Sequence, residues 1–194
     1  VERFDLCVIG AGPAGSAAAI TGAKAGLKVA LIDKAAFPRE KLCGGLFTGR
    51  SRRHLREIFD SALPEGSAIE VRDVAFSFSG RPAGVVRGGP AINLTMRWDL
   101  DSYLCELALA AGAVDFTGHR IASLDLSAGQ VRLEGGPVLA FRALIGADGV
   151  NSLVARTLFG QAFDRDRIGF ALEIEADRVN RAAPVEVDLA AARW

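Results

Sequence analysis

An apolar run, Phe4-Asp5-Leu6-Cys7-Val8-Ile9, passes directly into Gly10-Ala11-Gly12-Pro13-Ala14-Gly15 and is answered by a second apolar run ending at Leu31-Ile32-Asp33. That order is the fingerprint of a dinucleotide-binding βαβ unit, and each part meets a physical demand. The first run can be a buried parallel strand, and Gly10 permits the tight turn from strand to helix. Gly12 lets the backbone approach a pyrophosphate, while Pro13 and Ala14 open the helix beside it. Gly15 removes the side chain where that helix must pack on the sheet, and the free N–H groups and dipole at its N-terminus attract phosphate. Asp33 ends the second strand, where a carboxylate can accept from an adenosine ribose and would repel a 2′-phosphate; Lys34 follows it.

Composition limits what else the chain can be. Of the 194 residues 50% are hydrophobic and the formal net charge is +0, which suits a buried core and gives no electrostatic reason to seek nucleic acid. No apolar run reaches the roughly 20 residues needed to span a bilayer. Cys7, Cys43 and Cys105 are too few and too scattered for a disulfide framework or a zinc site, which suits a reducing, cytoplasmic setting. Cys7 lies in the first strand and Cys105 on a helix, positions typical of small buried hydrophobes. His54 and His119 have no neighbouring acid–nucleophile pattern and read as surface or structural residues.

The spacing predicts a helix from the glycine turn to near Gly26, a loop over 35–49, a polar helix over Arg50–Ala62, and strands over Ile69–Phe78 and Ala83–Leu94. These strands read as an antiparallel insertion. Asp99 is placed to cap a helix carrying Leu100, Leu104, Leu107, Ala108 and Ala111, which Gly112 ends. A parallel strand follows at Val114–Phe116, then short strands at Ile121–Leu126, Gln130–Leu133 and Val138–Phe141 as a small meander. A further apolar run, Leu144-Ile145-Gly146, ends at Asp148-Gly149, with Asn151 or Ser152 opening the next helix. Strand patterning resumes at Arg167–Ala176 and Val185–Leu189. The strand end, Gly149 and the helix start together offer a second phosphate-friendly turn.

The stretch Gly146-Ala147-Asp148-Gly149-Val150-Asn151-Ser152 resembles the aspartate-glycine motif of flavoproteins related to para-hydroxybenzoate hydroxylase, which narrows the expected cofactor to FAD and places Asp148 near its ribityl and pyrophosphate region. Within that superfamily, Phe37-Pro38-Arg39-Glu40-Lys41-Leu42-Cys43-Gly44-Gly45, with Arg97-Trp98-Asp99-Leu100, resembles the geranylgeranyl reductase family of FAD-dependent oxidoreductases. The likeness covers the first three quarters of the chain.

The resemblance implies an α/β chain: a Rossmann-like FAD-binding domain with a parallel sheet and a βαβ start, plus an inserted antiparallel β region on the substrate side that looks truncated. The expected division is 1–68 and 97–160 for the FAD-binding domain, 69–96 for the β insertion and 161–194 for the start of an incomplete substrate domain. A complete relative continues that sheet and adds a second flavin loop, so the chain is expected to be a fragment.

In that family a hydride passes from reduced flavin to a carbon–carbon double bond of a prenyl substrate, with NAD(P)H or a reduced electron carrier as reductant. The implied cofactor set is Gly10, Gly12, Pro13, Ala14, Gly15, Asp33, Lys34, Arg39, Cys43, Gly44, Gly45, Arg97, Asp148 and Gly149. Arg97 would meet the phosphates or the ribityl hydroxyls; a surface pairing with Asp99 or Asp101 is its plainer role. Arg39 and Lys41 would meet the adenosine diphosphate portion. Cys43 would lie over the flavin face as the proton donor or as part of the pocket wall. The partner expected is a small isoprenoid-like substrate, with peripheral membrane contact open and no stated oligomeric order. Two other readings share the fingerprint: a flavin monooxygenase and a non-catalytic flavin-binding module.

Overall fold

The computed structural model describes residues 1–169 and 184–189. It opens with β1 (Glu2–Ile9), α1 (Pro13–Lys24) and β2 (Val29–Asp33), the predicted βαβ unit. A short strand β3 (Leu46–Phe47) follows the loop, and α2 (Gly49–Phe59) starts at Thr48, whose hydroxyl accepts from Ser51 N–H. Then come β4 (Ala68–Val71), β5 (Val74–Phe78), β6 (Arg81–Val86), β7 (Ile92–Thr95) and α3 (Arg97–Ala110). The chain continues through β8 (Val114–Thr117), β9 (Ile121–Asp125), β10 (Gln130–Leu133), β11 (Val138–Gly146), α4 (Leu153–Phe159), a 3-10 turn at Arg165–Arg167 and β12 (Val185–Asp188).

The main sheet has the order β8-β2-β1-β11-β10-β9. Its first four strands are parallel, and β10 and β9 add antiparallel pairs at one edge. Side chains alternate across β1 and β2 so that both faces are apolar. Leu6, Val8, Val29 and Leu31 join Ala19 and Ile20 of α1 and Leu100, Leu104 and Ala108 of α3 on one face. Cys7, Ile9, Ala30 and Ile32 join Val131, Leu133, Leu139 and Val154 on the other. Burial on both sides explains why these strands read as continuous apolar runs. The remaining strands form two small sheets, β3-β7-β4 and β12-β5-β6.

The structure is α/β with a largely parallel sheet, as expected, and corrects several details. The expected strands at Ile69–Phe78 and Ala83–Leu94 are four strands split between two sheets, and β12 pairs with β5 in parallel, so the insertion is not purely antiparallel. Val138–Phe141 and Leu144–Gly146 are one strand, paired with β1 along its length. Arg142 and Ala143 break the apolar pattern there because their side chains are exposed, while the pairing with β1 runs to Phe141 and resumes at Ala143. The helix placed after Asp99 begins three residues earlier, behind Met96, so Asp99 lies in its first turn. Most of the strand expected at Arg167–Ala176 lies outside the described residues, and Arg167 itself ends the 3-10 turn.

Candidate functional site

The glycine turn is shaped by close approach. Gly10 has φ +99°, and a Cβ there would overlap the Ala147 carbonyl of β11's extension. A Cβ on Gly15 would overlap the Gly10 carbonyl, so α1 sits as near the turn as a backbone permits. α1 follows Gly12 with Pro13 in its first turn and no side-chain cap. Helix geometry therefore leaves the first-turn N–H groups of Ala14 and Gly15 without intrahelical acceptors, and Pro13 has none to satisfy.

Two guanidiniums stand beside that turn. A Cβ built on Gly12 would lie 3.5 Å from Arg39 Nη2 and 4.0 Å from Arg97 Nη2, so the missing side chain opens space toward both. Arg97 pairs with Asp101, one of the two partners its sequence context allowed, but that carboxylate is buried and not at the surface. Arg97 Nε and Nη2 donate to the two oxygens of Asp101 at 2.6 and 2.7 Å, and Arg39 Nη2 stands 2.9 Å from Asp101 Oδ2. The Asp101 carboxylate is buried, and it raises the pKa of Arg97 above the ordinary arginine value against the opposing effect of partial burial. Two cations on one anion leave a net positive charge at the turn.

Asp33 holds the turn from the other side: Ala11 N–H donates to Oδ2 at 2.8 Å and Ala35 N–H to Oδ1 at 2.9 Å. A carboxylate has about four acceptor positions, so capacity for ribose hydroxyls remains. Asp148 is different. Its Oδ1 accepts from the Ser152 hydroxyl at 2.5 Å, and its Oδ2 from Leu153 N–H at 2.5 Å and Val154 N–H at 3.3 Å. The side chain of Asp148 thus fills the N-terminus of α4, which corrects the expectation of a second phosphate-friendly turn.

Two cavities flank the glycine turn. One, of about 330 Å³, is mostly polar and is walled by Gly10, Asp33, Lys34, His119, Arg120, Glu134 and Asp148. The other, of about 520 Å³, is strongly apolar and lies among α1, α2 and α3, walled by Pro13, Ala14, Cys43, Gly45, Leu55, Phe59, Arg97 and Leu100. Gly45, at φ +67°, is held against the Thr95 carbonyl, whereas Cys43 and Gly44 are exposed. His54 and Ser51 of α2 also border this apolar cavity, and His54 is exposed, in keeping with its surface reading. Lys41 and Gly149 line neither cavity.

Sequence reading named Asp101 only as a surface partner for Arg97 and gave no site role to His119, Arg120 or Glu134. Asp101 had a usable signal: it is a carboxylate on the buried face of α3 beside Leu100 and Leu104, one turn after Arg97. The other three had none, because their nearness to Asp33 depends on how the β8–β9 connection folds back.

Residues 5–77 match the FAD dependent oxidoreductase family. The chain is 32% identical over 174 residues to a menaquinone reductase of Mycolicibacterium smegmatis, covering 86% of this chain and 42% of that protein. It is 35% identical over 160 residues to a geranylgeranyl diphosphate reductase of Rhodobacter capsulatus, covering 78% and 39%. The chain thus spans less than half the length of the curated relatives it matches. Among solved structures it resembles the halogenase PltM in complex with phloroglucinol and FAD, with TM-score 0.64 at 23% identity, covering 80% of this chain and 36% of the other. That likeness concerns the fold. The uncapped helix start, the side-chain-free approach at Gly12 and the surplus positive charge of Arg39 and Arg97 fit the pyrophosphate of a dinucleotide.

Proposed function

We propose that this chain, which carries FAD-binding parts of an FAD-dependent oxidoreductase, belongs to a reductase that saturates a carbon–carbon double bond in a prenyl or similar hydrophobic substrate. The observation that carries the reading is the apolar cavity that opens beside Cys43-Gly44-Gly45 and reaches the first turn of α1. A wall of Leu55, Phe59, Leu100 and Leu104 suits an alkyl or isoprenoid chain and excludes water from it. The likeness to proteins named as reductases of menaquinone and geranylgeranyl diphosphate favours the same substrate class.

When bound in its reduced form, FAD would supply a hydride to one alkene carbon and leave oxidised, while a proton completes the other carbon. The chain's residues have separate tasks in this scheme. Arg39, Arg97 and the first turn of α1 hold the pyrophosphate; Asp33 and Lys34 meet the adenosine end in the polar cavity. Gly44 keeps the approach to the ring free of a side chain, Gly45 lets the loop pack on the Thr95 carbonyl beside it, and the Cys43 thiol provides the proton. NAD(P)H or a reduced electron carrier would act as reductant without a second resident dinucleotide site. Asp148 and Gly149 lie toward the ribityl and pyrophosphate region, where Asp148 also caps α4. Contact with a membrane surface would be peripheral: among the described residues no helix is long and apolar enough to cross one.

The test begins with the purified chain's visible spectrum and the identity of any flavin released by heat. Protein carrying these residues within a longer chain is then reduced anaerobically and mixed with a prenyl diphosphate or a prenylquinone. The expected result is reoxidation of the flavin with gain of one H₂ by the alkene. Oxygen-dependent hydroxylation of an aromatic substrate would replace the reductase reading with a monooxygenase. Tight FAD binding without turnover on any alkene would favour the binding module.

A further inference from the structure

Arg39 and Arg97 come from distant parts of the chain, one from the loop after β2 and the other from the first residue of α3. Both guanidiniums nevertheless end on one carboxylate. Asp101 is fully buried, while the two arginine side chains are 18% and 17% exposed and so keep a route to a ligand. The same three groups surround the position that a Gly12 side chain would fill, with Asp101 Oδ2 4.0 Å from it. Burying a carboxylate is costly unless it is paired, and here the pairing is more than complete: two cations share one anion. Each guanidinium has five N–H donors, so both retain donors after binding Asp101.

We propose that Asp101 is a positioning residue for the dinucleotide pyrophosphate, holding Arg39 and Arg97 so that their remaining N–H donors converge on the Gly12 turn. The proposal rests on the FAD reading above. Asp101 itself stays out of contact with the ligand. Its carboxylate lets two like charges stand close together and fixes the plane of each fork. Charge counting alone makes the opposite claim, because deleting an anion beside a phosphate site should strengthen phosphate binding. The sign of the effect therefore separates positioning from bulk electrostatics.

The experiment is a ligand-observed NMR titration of ADP and, separately, adenosine into the wild-type chain and the Asp101→Asn variant, with thermal denaturation to check folding. Outer-shell support of charged ligands is worth about tenfold, so Asp101→Asn is expected to weaken ADP by about that factor and to leave adenosine within about twofold. Unchanged or tighter ADP binding would overturn the proposal. Equal losses for ADP and adenosine would overturn it too, since a general structural role predicts them.

If Asp101→Asn does not fold, Arg39→Lys carries the test. It keeps the charge but loses the planar fork, so selective loss of ADP supports the positioning role and wild-type ADP affinity contradicts it. A folded wild-type chain that binds neither ADP nor FAD would remove the dinucleotide reading itself, whereas binding by the wild type with no effect of either variant would remove only the role of Asp101.

Discussion

At Gly15 a single hydrogen takes the place that any side chain would need. A Cβ would overlap the Gly10 carbonyl and press on Ala147 Cβ, so Gly15→Ala must push α1 off the turn. Overpacking of this kind costs about 1–3 kcal/mol. The urea midpoint is expected to fall accordingly, and the variant should also lose FAD; a wild-type midpoint would mean that α1 has slack here. Cys7 and Cys105 make a second residue-scale prediction. Burial pushes both thiols up to about 12. The unfolded thiols ionise near the ordinary thiol value of 9.0, so between that pH and about 12 the unfolded chain has lost protons that the folded one keeps. Stability therefore falls as pH rises through this window, by about 1.4 kcal/mol per pH unit for each thiol. The Cys7→Ala, Cys105→Ala double variant should flatten that slope in pH-dependent urea melts, and an unchanged slope would assign it to other groups. Cys43 is exposed, and the role proposed for it is chemical. As a general acid it would contribute about 10²-fold or more, so Cys43→Ala should keep its flavin while turnover on the alkene drops by that order. Undiminished turnover would make Cys43 part of the pocket wall only. Residue identity made the glycines, Asp33 and Cys43 legible in the sequence because each belongs to a local pattern. The Arg39–Asp101 pair was not legible, because 62 positions separate its members and only the packing of α3 against α1 joins them.

The start of α4 shows how one aspartate can serve the fold beside the cofactor role expected of it. Gly149, Ser152 and the strand end do form a strand-to-helix turn, but Asp148 supplies the anion that the helix start requires. Ser152 also accepts from Ala155 N–H at 2.9 Å, so the first turn is capped twice. Losing a cap costs about 0.5–2 kcal/mol. Asp148→Ala is therefore expected to lower chain stability by that amount in denaturant titrations and to increase hydrogen exchange at Leu153 and Val154. Protection unchanged at those two amides would show that Asp148 does not hold them. Other elements were legible for clear reasons. α1 lies between a glycine turn and Gly26, and β1 and β2 are apolar on both faces, so position and length agree with the pattern. β11 was harder, because Arg142 and Ala143 carry no core signal even though one strand pairs with β1 on both sides of Arg142. The small β3-β7-β4 sheet was hidden for a similar reason: β3 has two residues, too few for any period to register.

Across the described residues, the glycine turn beside Arg39 and Arg97 is flanked by two cavities of opposite character. The polar cavity approaches from Asp33 and Lys34, the apolar one from Cys43 and Gly45, and both reach the glycine turn. An extended ligand with a polar purine end, a central pyrophosphate and a large flat ring has those three requirements in the same order. The capped α4 sharpens this picture, since it removes the second phosphate site that the sequence suggested. If only one site remains, ADP and FMN should compete although they represent opposite ends of FAD, because each brings a phosphate to the turn beneath Arg39 and Arg97. A ligand at 100 times its Kd adds about 2.7 kcal/mol to unfolding, enough to resolve each ligand by thermal shift. Each alone is expected to raise the Tm, and saturating amounts of both should raise it no further than the better of the two. Additive shifts would require two independent phosphate sites and would restore the Asp148-Gly149 turn as the second. Stabilisation by ADP without any by FMN would confine ligand recognition in this chain to the adenosine side and detach the apolar cavity from the flavin ring.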